Sequence, residues 1–140
     1  MKTIHDKNFV ERTAYFSSGI QDRFTEIDWR EGDVFSIFLE QNQQSFKKDI
    51  YVIFSGEFYS INFVLIARGI IKIDYHLCGP DSISNAIYSY DSENKTEKVR
   101  LEGYSDGYME VEAESLLLFE LKTPITNPYQ TLVDLDLINQ

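Results

Sequence analysis

The feature that most limits what this chain can fold into is a period of two in its hydrophobic pattern. In residues 98–104 (KVRLEGY), Val99 and Leu101 alternate with Lys98, Arg100 and Glu102. In residues 108–113 (YMEVEA), Met109, Val111 and Ala113 point one way and Tyr108, Glu110 and Glu112 the other. Leu117, Phe119 and Leu121 share a face that leaves Leu118 and Glu120 opposite. In residues 132–137 (LVDLDL), Val133, Leu135 and Leu137 oppose Asp134 and Asp136. Successive side chains of a strand leave opposite faces, so this alternation predicts half-buried strands with one wet face.

The middle of the chain is more continuously apolar. Residues 49–54 read as a strand, Ser55-Gly56-Glu57 as a turn, and residues 58–67 as a second strand. Arg68-Gly69 reads as a tight turn into residues 70–77, where Ile71, Ile73, Tyr75 and Leu77 line one side. Cys78-Gly79-Pro80-Asp81 breaks the chain, since Gly and Pro fix a loop. Residues 84–90 resume a strand, residues 91–97 form a polar loop, and Ser105-Asp106-Gly107 is a short hairpin connection. Residues 45–48 and 123–128 are non-periodic joins.

The N-terminal third is more ambiguous. Residues 8–16 fit a strand with Phe9, Glu11 and Thr13 on one face, or a short helix, and Ser17-Ser18-Gly19 ends it. Residues 21–29, with Phe24, Ile27 and Trp29, fit a helical turn or a strand equally. Residues 33–44 open on a plausible N-cap, Asp33, yet Phe35, Ile37 and Leu39 alternate as a strand does. The sum is eight or nine strands with short connections in one β-rich domain over residues 1–140. The expected class is mainly β, with α+β as the variant. An antiparallel meander forms a β-sandwich or a curled barrel, with one or two short N-terminal helices.

Charge narrows the function. Thirteen basic against 23 acidic side chains give a net charge of −10. That argues against nucleic acid, whose binding needs cations to displace counterions, and against an anionic membrane surface. From Leu101 onward only Lys122 opposes eight acidic residues. Cys78 is the only cysteine, so no disulfide forms within the chain. Residues 1–10 lack the apolar stretch of a signal peptide, and the apolar run 61–73 is broken by Asn62, Arg68, Gly69 and Lys72. The expected location is the cytoplasm.

Catalytic chemistry finds little footing. A nucleophile needs a base and a third group to orient it, and His5 and His76 are the only histidines. His76 and Cys78 share a strand face, but neighbours two apart on a strand sit ~6.5–7 Å apart with parallel side chains. Asp74, His76 and Cys78 meet zinc awkwardly for the same reason. The run Asp91-Ser92-Glu93-Asn94 opens like a calcium loop but lacks the glycine and the bidentate glutamate that such loops need. No glycine-rich phosphate loop occurs, and no two carboxylates stand out as an acid–base pair. The chain reads as a non-enzyme with no catalytic residues, metal or cofactor.

What rises above this background is an acidic stripe. Glu110 and Glu112 lie on one strand face, Glu102 on the outer face of the preceding strand, and Asp134 and Asp136 on the last. Tyr104, Tyr108 and Leu118 share those outward faces, and Asp106 sits in the hairpin. Like charges opposed across a sheet destabilise it, a cost that a partner's cations offset. Glu102, Tyr104, Asp106, Tyr108, Glu110, Glu112, Asp134 and Asp136 are therefore the candidate partner-binding residues, against the plain alternative of a solvated face.

In size, acidity and lack of catalytic groups, the whole chain resembles the immunity proteins with which bacteria neutralise their own toxins, including those of contact-dependent growth inhibition. The resemblance implies a cognate basic protein toxin as partner, such as a nuclease that an acidic inhibitor occludes. The rival is a small-molecule carrier resembling a lipocalin or fatty-acid-binding barrel, with Phe9, Phe35, Ile37, Phe54, Phe63, Tyr75 and Tyr88 inward. The chain departs from that pattern: Arg100 is on the polar face of its strand, and Asp28-Trp29-Arg30 is not a Gly-x-Trp start.

Overall fold

The computed structural model describes residues 10–41, 44, 46–77 and 79–138. The elements are β1 (Arg12–Phe16), α1 (Ser18–Thr25), β2 (Val34–Gln41), β3 (Lys48–Gly56), β4 (Ile61–His76), β5 (Ile83–Asp91), β6 (Thr96–Gly103), β7 (Tyr108–Leu121) and α2 (Pro128–Asp134). The molecule is mainly β, as its alternation predicts. All seven strands join one antiparallel sheet in the order β2-β3-β4-β7-β6-β5. Two hairpin-linked meanders, β2-β3-β4 and β5-β6-β7, thus meet at the long central pair β4–β7. Along its other edge β7 pairs first with β6, through residues 108–113, and then with β1, through residues 117–121.

The sheet curls but does not close. A single bridge from Gly32, ahead of β2, to Ile83 at the head of β5 ties two corners together. The concave face holds the larger core. Phe54 and Phe63 stack 5.2 Å apart, Trp29 lies about 6 Å from both, and Phe24 of α1 meets these rings edge-on. Trp29 buries its ring and donates Nε1–H to the Phe24 carbonyl at 3.3 Å, so its polar atom is satisfied. Helix α1 is fixed by Arg23, which donates two hydrogen bonds to Glu120 at 2.6 and 3.1 Å. Gln21 Oε1 accepts the Tyr88 N–H of edge strand β5 at 2.7 Å.

A second core lies on the convex face, where Leu132 and Leu135 cover Tyr51, Ile53, Val64, Ile66 and Leu121. The central part of the sheet is therefore buried on both sides. That explains why β3 and the first half of β4 read as apolar runs rather than alternations.

Four expectations are corrected. Residues 132–137 do not form a strand. Asn127 caps α2 by accepting the Gln130 N–H, and Pro128 starts the helix. Leu132 and Leu135, three apart, face the sheet, a spacing that the apparent alternation conceals. Arg68-Gly69 is not a turn, because β4 runs through it to His76. Residues 108–113 and 117–121 likewise form one strand, β7. The expected start of a strand at Phe58 is also displaced: Glu57, Phe58 and Tyr59 have positive φ, and β4 begins at Ile61. These mergers and the helix leave seven strands among the described residues, with the second short helix C-terminal rather than N-terminal. The ambiguous segment 21–29 is helical through Thr25 and irregular from Ile27 to Trp29, whereas residues 33–44 yield β2. Phe9 and Cys78 lie outside the described residues.

Both central strands bend at one level. Ala67 and Ile70 of β4 both meet the concave core, as do Ala113 and Leu116 of β7, so the side-chain phase slips there by one residue. Gly69, at φ +67°, permits the bend, and the Glu114 side chain occupies the space a Cβ would need. Asp49, buried beneath, accepts the Gly69 N–H at 3.0 Å and an Arg68 N–H at 2.9 Å. The slip also places Leu118 in the concave core, fully buried, rather than on an outward face.

Candidate functional site

Beyond the bend, the convex face of β4, β7 and β6 carries most of the acidic stripe. The turn at Ser105-Asp106-Gly107 sets the register of β6 against β7, opposing Lys98 to Glu112, Arg100 to Glu110 and Glu102 to Tyr108. On the other side, Lys72 opposes Glu112, Asp74 opposes Glu110 and His76 opposes Tyr108. The stripe is therefore interleaved with cations, and its acids do not meet as bare like-charged rows. Arg100 bridges Glu102 at 3.1 Å and Glu110 at 3.3 Å, while its guanidinium lies 3.8 Å from the centroid of the Tyr108 ring. Lys98 Nζ is 3.6 Å from Glu110, and the Thr96 hydroxyl donates to Glu112 at 2.7 Å.

Tyr108 is held from three sides. Arg100 covers one part of its ring, the His76 imidazole stacks at 5.0 Å, and its hydroxyl donates to Asp74 at 3.0 Å. That bond to a carboxylate raises the phenol above its ordinary range. Burial disfavours the Arg100 charge, but the bonds to Glu110 and Glu102 outweigh it and raise its pKa.

At the end of this face an open cleft of about 250 Å³ is lined by Arg100, Glu102, Tyr104, Asp106, Tyr108 and Ser84, with the glycines at 103 and 107. Tyr104 stands 62% exposed on its rim. The β4–β5 connection packs against this hairpin. The backbone N–H of Ser82 and the hydroxyl of Ser105 hold the Asp81 carboxyl below the usual carboxylate range. Asp81 thereby joins the hairpin to the loop beside it.

Six of the eight candidate residues, Glu102, Tyr104, Asp106, Tyr108, Glu110 and Glu112, are thus gathered at one end of the sheet. Asp134 and Asp136 are not among them. They belong to α2 and the turn after it, which pack beside Leu121, the far end of β7 from Tyr108. The thirteen residue steps from Tyr108 to Leu121 span roughly 43 Å. The sequence reading missed the cations at the site and the role of Asp74. A register counted outward from the hairpin turn is the signal that aligns Arg100 with Glu110.

After these internal pairs the face keeps an excess of acid. Asp74, Asp81, Glu102, Asp106, Glu110 and Glu112 outnumber Lys72, Lys98 and Arg100 by six to three, so acidity persists after internal pairing. No group of three or more His, Cys, Asp or Glu among the described residues is placed to hold a metal ion. No helix among them is long and apolar enough to cross a membrane. Set against protein families, curated proteins and solved structures, the chain matches none.

Proposed function

We propose that this protein is a non-catalytic inhibitor of the immunity type, which docks a basic protein toxin, such as a nuclease, against the β6–β7 end of its sheet. One observation carries the reading. Six carboxylates gather at one end of the antiparallel sheet, and two of them, Glu102 and Asp106, line a cleft whose rim exposes a tyrosine. The paired cations fix the carboxylates in place, so a partner's Lys and Arg meet ordered acceptors at a reduced entropic cost. The excess negative charge speeds encounter, and Tyr104 supplies the contact area typical of an interface anchor. A carrier needs an enclosed apolar chamber, whereas the middle of the concave face here is filled by Phe24, Trp29, Phe54 and Phe63 and its apolar margin lies open on a sheet edge. The packed face therefore favours the inhibitor reading.

The test is co-expression with candidate toxic partners, beginning with proteins encoded beside this chain's own gene. Growth should be restored, and a salt-sensitive complex should be recovered. Combining Tyr104→Ala with Asp106→Lys should abolish rescue and weaken binding by about 100-fold or more, as expected for loss of an anchor and reversal of a charge. Rescue that survives this double variant would refute the site.

A further inference from the structure

Beyond the bend, β4 loses a neighbour. Its residues 61–67 lie between β3 and β7, but residues 70–76 pair only with β7; among the described residues no strand pairs with their other edge. Every second N–H and C=O there points away from β7, which makes the edge a template for another strand. Past the β-bulge between Ile70 and Lys72, the same segment leaves Ile73 (42% exposed) and Tyr75 (50%) open on the concave side, opposite Val111 and Met109, while Ile71 (54%) is exposed in the bulge itself. Lys72, Asp74 and His76 alternate with them on the convex side.

We propose that this edge pairs with the same edge of a second copy, in an antiparallel register centred on Ile73, to give a twofold dimer with one continuous sheet. The charge pattern selects both the partner and the register. In a symmetric antiparallel pair, facing residues point to the same side of the sheet. Centring on Lys72 sets lysine against lysine, and centring on Asp74 sets aspartate against aspartate. Centring on Ile73 sets Lys72 of each copy against Asp74 of the other, twice. It also packs Ile73 against itself and brings Tyr75 of each copy level with the bulged Ile71 of the other. The segment is thus complementary to its own reverse in charge and in apolar contact. The dyad is perpendicular to the sheet, so both convex faces look the same way and the two acidic ends share one surface. This inference does not depend on the identity of any other partner.

A seven-residue edge buries less than a standard interface, which places the dissociation constant on the order of 10 μM. Sedimentation equilibrium on the full chain should show the mass doubling across that range. Lys72→Asp alone and Asp74→Lys alone should each weaken self-association at least tenfold, because each opposes like charges twice. An equimolar mixture of these two variants should regain the dimer, since each then presents the opposite charge to the other. Recovery on mixing also shows that both variants are folded. A wild-type chain that stays monomeric up to ~1 mM, well above that constant, overturns the proposal and leaves the edge to a foreign strand. So does a dimer indifferent to Lys72→Asp, or a mixture that does not associate.

Discussion

Strand β4 passes through two environments, and its halves differ in both neighbours and burial. Residues 63–67 have a strand on each side and a core on each face, and their side chains are almost fully buried. Among the described residues, 70–76 have one neighbouring strand, an open apolar face and a charged one. Isoleucine occurs in both halves, so hydrophobicity alone does not separate them. The separation comes from where β3 stops and where Gly69 and Glu114 bend the central pair. One half is packed into the core; the other is the half proposed to pair with a second copy.

The largest expected effect tests that division directly. Phe63→Ala removes a ring from the stacked cluster and should cost about 3–5 kcal/mol by denaturant titration. Ile73→Ala, past the bend, should cost less than ~1 kcal/mol, as is usual for exposed positions. Equal losses at the two sites would erase the distinction.

A smaller effect is expected at the seam of the sheet. Between β6 and β1 no described strand pairs with the edge of β7, and there the buried Glu97 carboxylate accepts the Leu116 N–H at 2.8 Å and the Tyr88 hydroxyl at 2.7 Å. Glu97→Ala strands both donors and should cost about 2–4 kcal/mol by the same titration. Burial, followed by the Glu97 bond, raises the Tyr88 phenol above its ordinary range; Tyr15, Tyr51 and Tyr108 are raised as well. A raised folded-state pKa contributes stability that is complete below the unfolded value near ~10 and is lost as pH climbs through the folded one. Stability should therefore fall on alkaline titration above ~pH 10, with a gentler slope in Tyr88→Phe.

The two halves were also unequally legible in sequence. Alternation on β6 and β7 located strands whose outer faces are wet, because a half-buried strand writes its geometry into its residues. At Arg68-Gly69 the pattern changes as it does at a turn, but the change marks a bend inside one strand. Local sequence does not distinguish these, since Gly69 serves either with positive φ. The residues 132–137 satisfy both periods, and the deciding signal was the Asn127-Pro128 start just upstream. The acidic stripe was visible residue by residue. Its pairing with Lys98 and Arg100 was not, because that depends on register, which an isolated strand does not carry.

The central claim is that β4 is core on one side of Gly69 and an interaction edge on the other. Amide hydrogen exchange resolved along β4, at protein concentrations well below and well above self-association, tests it most directly. The account predicts that amides of residues 62–67 exchange only through global unfolding at every concentration. Those of residues 70–76 that point away from β7 should exchange quickly when dilute and slow markedly when concentrated. Uniform protection across both halves, unchanged by concentration, would contradict it.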